Sequence, residues 1–321
     1  MKTNPIKLSI IIVSFNTAEL TQKCLESVIL DVTQSKTLAN SCEIFVVDNN
    51  SSDNSKLIIR QLIAKYAKDT PIKLIQNKEN LGFAKANNQA LKQARGEYIL
   101  LLNSDTIVQN EALEALINAL QTTNLTDKKN KLGLVAASLW NPDGSYQSQG
   151  GDQISLLAAK AQWLMLDDLP IIGQFLPTLQ RRSERPPLNQ HIQAMGWVGA
   201  TALCFSRRLY EKIGGLNDSI FMYAEDLEFC LRAQRAGWGS AIAHEAKIVH
   251  VGSASSNSEQ AKLGEVRGML QFWPKYFGAT STLLLKLIIT LGSCLRFCLF
   301  TLIGRGAQAT TYGKILRQLW V

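Results

Sequence analysis

The chain of 321 residues is short of the features that mark exported or nucleic-acid-binding proteins. Its six cysteines (Cys24, Cys42, Cys204, Cys230, Cys294, Cys298) form no CxxC pair and sit mostly in apolar surroundings, a usage that fits a reducing compartment. The one apolar run near the N-terminus, Leu8 to Val13, is too short and too soon followed by polar residues for a signal-peptide core, so no export is expected. No Gly-x-Gly-x-x-Gly follows it, which argues against a dinucleotide-dependent oxidoreductase. Internal repeats and low-complexity segments are missing too. Acidic residues are absent from the last 56 positions, and that absence decides how the net charge of +8 is read. Residues 266–321 hold seven Lys or Arg, which leaves the first 265 residues at only +1. The basic stretch is also apolar. It therefore points to an anionic membrane surface and not to nucleic acid.

What remains is a chain with 46% hydrophobic residues, enough to bury a full core in one large domain or two ordinary ones. Apolar strands are expected at Leu8 to Ser14, Glu43 to Asp48, Ile72 to Gln76 and Tyr98 to Leu102, with helices between them at Glu19 to Leu30, Ser55 to Tyr66 and Ala84 to Arg95. Such alternation means a Rossmann-like, mostly parallel α/β sheet covered on both faces, whose ligands sit beyond the carboxyl ends of the strands. Polar residues gather there: Ser14 and Asn16, Asp48 and Asn49, Asn77 and Asn80, then Asn103 to Asp105. A helix is expected over Glu111 to Leu120, strands over Leu132 to Leu139 and Trp197 to Phe205, and a turn at Asn141-Pro142-Asp143-Gly144. Between them, Gln149 to Gln190 reads as a loop-rich insertion with many apolar residues, either core filler or a binding lid.

The stretch from Gly214 to Arg232 sets Glu225 and Asp226 behind Phe221, Met222 and Tyr223 at a loop-to-helix junction. A carboxylate in an apolar setting suits proton abstraction, although acidic residues also gather at helix N-termini to complement the dipole. Asp48 comes too early to cap the next helix and is placed to accept a hydrogen bond from the N3–H of a uracil or thymine ring. Asp105 could be a turn residue or one ligand of a hard cation that bridges a diphosphate. His250 ends a further strand-like run, and a lone histidine is more often structural than a ligand.

The pieces Ser9-Ile10-Ile11-Ile12-Val13-Ser14-Phe15-Asn16, Val46 to Asp53, Asn80-Leu81-Gly82-Phe83-Ala84-Lys85-Ala86-Asn87-Asn88, Leu102-Asn103-Ser104-Asp105, Gly199-Ala200 with Arg207, and the Gly-Gly to Glu-Asp motif occur in that order. Over about residues 6–275 the chain thereby resembles the family-2 glycosyltransferases of the nucleotide-diphospho-sugar (GT-A) fold, in particular the rhamnosyltransferase-like branch. The resemblance implies inverting, metal-dependent transfer of a sugar from a dTDP- or UDP-sugar, with dTDP-rhamnose favoured by the branch, to a glycan or polyprenyl-linked acceptor in cell-surface polysaccharide assembly. It implies Asp226 as general base with Glu225 as second choice. Asp105 and His250 would hold Mn2+ or Mg2+, and Ser14, Asn16, Asp48, Asn80, Gly82, Asn87 and Ser104 would bind the nucleotide. Asn103 stands where the fuller Asp-x-Asp pattern has its first acid, and no Gln-x-x-Arg-Trp motif is present, against a processive synthase. A non-catalytic nucleotide-sugar-binding or scaffold protein of the same fold is the alternative.

The expected organisation is a catalytic domain over 1–275, with a nucleotide-binding half (1–125) and an acceptor half (126–275), then a membrane-associating tail over 276–321. In a helical tail Thr282, Lys286, Thr290, Ser293 and Arg296 share one polar arc, with Leu284, Leu287, Leu291, Leu295 and Leu302 mostly opposite. A span would bury Arg296 near mid-membrane at about 2.5–3.5 kcal/mol, so an amphipathic interfacial helix is expected, with a tail folded back on the core as the alternative. The implied location is cytoplasmic, on the inner face of the cell membrane. The sequence carries no signature of an oligomeric state.

Overall fold

The computed structural model describes residues 5–66, 70–126, 131–180, 190–252 and 258–320. In the first half, strands β1 (Leu8–Ser14), β2 (Cys42–Asp48), β3 (Ile72–Gln76) and β4 (Tyr98–Asn103) alternate with helices α1 (Ala18–Gln34), α2 (Ser55–Tyr66) and α3 (Gly82–Leu91). Then come β5 (Thr106–Val108), α4 (Ala112–Thr126), β6 (Leu132–Trp140), β7 (Tyr146–Gln147), α5 (Leu156–Trp163), β8 (Ile192–Met195), β9 (Ala202–Ser206), α6 (Arg207–Ile213), α7 (Glu225–Arg235) and β10 (Gly239–His250). Two helices end the chain, α8 (Ser258–Leu302) and α9 (Gly306–Gln318).

One sheet runs through both halves in the order β3-β2-β1-β4-β9-β6-β10-β5, with β7 on β6 and β8 on β10. β1 to β4 are mutually parallel, as their buried and mostly apolar central members require, and the edge strand β3 is the half-exposed one. β9 enters antiparallel between β4 and β6 and so joins the halves. Two apolar clusters form the core, one containing Phe45, Phe205, Phe229 and Trp273, the other Ile10, Leu25, Leu100 and Leu116. The expected strands and helices match closely. Three differences stand out. The Gln149 to Gln190 insertion contains α5 and is thus not all loop, and its residues 181–189 lie outside the described residues. The expected strand at Trp197 to Phe205 begins only at Ala202, because Ala200 and Thr201 form a turn at the sheet's ligand-binding edge.

The tail is the third. α8 is broken at Gly278 (φ 79°, ψ 171°), and α9 folds back along its second half. Leu285, Ile289, Ile315 and Leu319 enter the main core cluster, so the folded-back alternative holds. The polar arc expected to face lipid headgroups faces protein instead. Ser293 has no exposed surface, Lys286 lies over the Trp320 ring, and Arg296 is only 8% exposed, its guanidinium donating to the carbonyls of Gln162 and Trp163 at the end of α5. A helix C-terminus offers free carbonyls to such a cation, and that exchange turned the arc inward.

A buried carboxylate ties the first strands together. Glu43 on β2 accepts hydrogen bonds from Ser9 Oγ (2.8 Å) and Arg95 N (2.7 Å) and pairs with Lys73 (3.4 Å) and the Arg95 guanidinium (3.3 Å). Burial alone would raise its pKa, but these donors and charges outweigh burial and hold it below the usual glutamate range. A depressed folded-state pKa stabilises the fold above the unfolded value of about 4.3, and that contribution vanishes as pH falls through the folded value. Glu43→Gln should therefore lower unfolding stability by about 1–3 kcal/mol at neutral pH. Urea titrations should show the gap to the wild type closing below about pH 4.

Candidate active site

Beyond the carboxyl ends of β1, β2 and β4 lies a cavity of about 300 Å³. It is lined by Val13, Phe15, Asn49, Asn80, Phe83 and Asn103 to Asp105 from the first half of the chain, and by Ala200, Tyr223, Glu225, Asp226 and His250 from the second. The first α8 turn adds Ala261. This is where an open α/β sheet binds its ligand.

The acidic loop reaches the strand tips because α3 receives it. Phe83 N donates to Phe221 O (2.8 Å), and a Cβ on Gly82 would stand 2.3 Å from that same carbonyl. Asn88 accepts from Leu216 N (2.9 Å) and donates to Leu216 O (2.8 Å). On the other side Arg232 binds Glu228 through Nε at 2.9 and 2.8 Å and donates to the carbonyls of Ile213 and Gly215. What reads in sequence as an ordinary i,i+4 pair is a buried clamp on the Gly214-Gly215 turn. Tyr276 of α8 donates a further hydrogen bond to Glu228.

The acids follow two consecutive left-handed residues, Tyr223 (φ 71°) and Ala224 (φ 72°). Neither is glycine, so the turn is strained and needs support. α8 supplies it. A Cβ at Gly264 would stand 2.5 Å from the Tyr223 ring, and one at Gly268 would stand 2.3 Å from Tyr223 O. These glycines, four residues apart on one helix face, let the turn lie against α8. This role was not foreseen from sequence; the i,i+4 glycine spacing was its one visible signal.

Asp226 is half-buried at the cavity wall. Its Oδ1 accepts from Leu227 N (2.9 Å) and its Oδ2 from Ala200 N (3.4 Å), which gives the Gly199-Ala200 pair its place in the site. Glu225 is buried, and its Oε2 has no hydrogen-bond partner. Burial pushes both carboxyls above their ordinary range. Glu225 goes further because the neighbouring Asp226 charge adds to burial, whereas the Leu227 and Ala200 N–H groups partly offset it for Asp226. Both carboxyls therefore hold a proton more readily than free ones do, Glu225 the more strongly.

Asp105 Oδ1 lies 3.4 Å from His250 Nε2. These residues, 145 apart in sequence, meet because β5 and β10 pair antiparallel with His250 opposite Thr106. His250 Nδ1 bonds Gln147 Oε1 at 2.6 Å, which holds the ring with Nε2 turned toward Asp105. Gln147 was not foreseen, because only the β6–β7 hairpin brings it there. Among the described residues no group of three or more His, Cys, Asp or Glu could hold a metal ion. Asp105 and His250 would supply only two ligands, enough for a cation whose shell phosphate oxygens and water complete.

The nucleotide positions divide. Asn80 and Ser104 line the cavity, the former accepting from Asn49 Nδ2 (2.8 Å), the latter bonded to Thr17 Oγ1 (2.9 Å). Ser14, Asn16, Gly82 and Asn87 are not on its wall. Ser14 is buried in a hydroxyl network with Thr17 and Thr21, and exposed Asn16 clamps the next loop by accepting from Ser52 N (2.8 Å). Gly82 makes room for the acidic loop, and Asn87 is buried, donating to Phe83 O (2.9 Å). Asp48 is also off the wall. It has no exposed surface, its Oδ1 accepts from Ser51 N (3.4 Å), and its Oδ2 lacks a hydrogen-bond donor, with Lys56 Nζ at 3.7 Å.

Gly268→Ala should force the Met222–Ala224 turn off α8 and lower stability by about 1–3 kcal/mol, as overpacking does. The exposed Gly306 has open space where a Cβ would stand and supplies the control: Gly306→Ala should leave the thermal midpoint nearly unchanged.

Comparison with known proteins agrees with this geometry. The model for glycosyl transferase family 2 matches residues 9–127, and that for glycosyl transferase family group 2 matches residues 189–320. The chain is 23% identical over 233 residues to an N-acetylglucosaminyl-diphospho-decaprenol L-rhamnosyltransferase of Mycobacterium tuberculosis, covering 68% of this chain and 69% of that protein. It is 26% identical to an uncharacterized protein, y4gI, of Sinorhizobium fredii over 81% of its own length, yet spans only 26% of that longer relative. Among solved structures, a mannosyltransferase from Pyrobaculum calidifontis in complex with GDP-Man and Mn2+ superposes with a TM-score of 0.55 at 14% identity, over 99% of this chain and 86% of that one, a likeness of fold. The ordered motifs, the two matched models covering most of the sequence and the shared architecture lead to one conclusion: the chain belongs to the family-2 glycosyltransferases and has their GT-A fold.

Proposed function

We propose that the protein transfers a sugar, with inversion, from a dTDP- or UDP-sugar to a glycan or polyprenyl-linked acceptor in cell-surface polysaccharide assembly. The observation that carries this reading is one cavity lined together by half-buried Asp226 and by the neighbouring pair Asp105 and His250. Asp226 takes the proton from the acceptor hydroxyl as that oxygen attacks the anomeric carbon and the bond to the diphosphate breaks. Glu225, protonated behind it, keeps a second charge out of the apolar wall. Asp105 and the Nε2 of His250 fit a divalent cation, Mn2+ or Mg2+, whose positive charge would stabilise the departing diphosphate. The Mn2+ in the mannosyltransferase structure supports that choice of ion. Asn49, Asn80 and Ser104 offer polar contacts to the nucleotide. Asp48 joins them as acceptor for the base if the 49–53 turn opens, its unsatisfied Oδ2 being the reason to keep it in the site. The relative named for a decaprenol-linked substrate supports a lipid-linked acceptor, and rhamnose as the donor sugar. Such an acceptor sets the enzyme on the cytoplasmic face of the cell membrane.

Asp226→Asn should keep donor binding and lose transfer by about a hundredfold or more. Because burial raises the Asp226 pKa, kcat/KM in the wild type should fall as pH drops through a value above the ordinary aspartate range, and Glu225→Gln should leave that limb nearly in place, because Glu225 already holds its proton over that range. Normal turnover in Asp226→Asn with none in Glu225→Gln would transfer the role of base to Glu225.

Asp105→Ala should make donor binding insensitive to Mn2+ or Mg2+, and His250→Ala should weaken the metal dependence so that activity partly recovers at higher metal. Calorimetric titration of donor with and without the ion reads both. Unchanged metal-dependent binding would remove the residue from the site.

A further inference from the structure

Two apolar surfaces with no partner in the fold lie on linked elements. The loop after α5 turns through Met165 (φ 55°) and Ile171 (φ 70°) and leaves Ile171 75%, Ile172 58% and Phe175 79% exposed. Along α8, Leu284, Leu287, Leu291 and Leu295 recur at three- and four-residue spacing and are 44–60% exposed, and Leu302 at the hairpin end is 85% exposed. The two surfaces are joined at one place. Arg296 holds the last carbonyls of α5, and Gly292 lets Trp163 O approach so closely that a Cβ there would stand 2.2 Å from it. The loop carrying Ile171 and Phe175 thus leaves α5 from the flank of the helix carrying Leu291 and Leu295.

Deepening the membrane association proposed above, we infer that the 169–175 loop and the leucine stripe of α8 enter the same lipid leaflet as two parts of one platform, the polar arc of α8 being turned to the protein. An apolar patch of this extent marks an interaction surface. Its charge selects lipid over a second copy. No Asp or Glu follows Glu265, and Lys275, Arg305 and Arg317 are exposed, so a twofold contact through this tail would oppose like charges, whereas anionic headgroups beside the buried leucines neutralise them. A span is disfavoured by the fold itself. The segment after Gly278 is long and apolar enough to cross, but crossing would pull Arg296 from its two carbonyl partners and strip α9 from α8.

The full chain carries its own probe. Cys294 and Cys298 are exposed on α8, and the other four cysteines are buried. Modification by a charged maleimide should slow about tenfold when vesicles of phosphatidylcholine and phosphatidylglycerol are added, and the protein should float with them. A double variant, Ile171→Glu with Phe175→Glu, should recover most of the modification rate and float at least about fivefold less, since both side chains are exposed and the fold does not need them. A rate unchanged by vesicles, or one that slows with protein concentration in the absence of lipid, would overturn the inference, the second result in favour of a dimer. Resistance to carbonate extraction would overturn it in favour of a span. Wild-type flotation of the double variant would overturn the two-part platform. Sugar transfer to a detergent-dispersed acceptor, read on the same samples, reports the catalytic proposal separately: its failure leaves the flotation result standing, and the reverse also holds.

Discussion

The site depends on one backbone contact, the Phe83 N–H bonded to the Phe221 carbonyl across the space that Gly82 leaves open. That bond docks a loop from the second half of the chain on the first turn of a helix from the first half. Without it Glu225 and Asp226 would still cap a helix, but nothing would hold them over the tips of β1 and β4. Asn88 and Arg232 grip the start of the same loop, so its position is set by hydrogen bonds to backbone and not by the acids themselves. The cost of the two left-handed residues is borne by this grip and by the glycine face of α8.

The electrostatics follow from that placement. Two adjacent carboxyls held in an apolar wall both have their pKa raised by burial, and Glu225 is raised further because the Asp226 charge lies beside it. A strand register brings His250 to Asp105, and Gln147 bonds its other ring nitrogen.

Much of this was legible before any coordinates. The four parallel strands, the order of motifs, Asp105 and the Glu225-Asp226 pair could be read because each lies where a local pattern ends in an exposed polar residue. Ser14, Asn16, Gly82 and Asn87 lie off the cavity wall for a related reason. A polar residue at a strand tip or helix start is equally fit to bind a ligand or to tie one loop to the next, and only the partner distinguishes the two. The tail shows the same ambiguity at larger scale. Its helical periodicity correctly separates a polar from an apolar face, but which face meets the protein was decided by Arg296 finding the carbonyl end of α5.

The sequence by itself determined the sheet, its parallel strands and the side of the sheet on which chemistry occurs, since hydrophobic periodicity and the alternation of strand and helix are local properties. Tertiary structure alone decided which polar residues share a cavity, which carboxyl holds its proton the more strongly, that α8 supports the acidic turn and that the polar arc of the tail points inward. Those outcomes rest on contacts between residues some 80 to 145 positions apart, on backbone approaches allowed by missing side chains, and on burial. None of these has a periodicity along the chain from which it could be read.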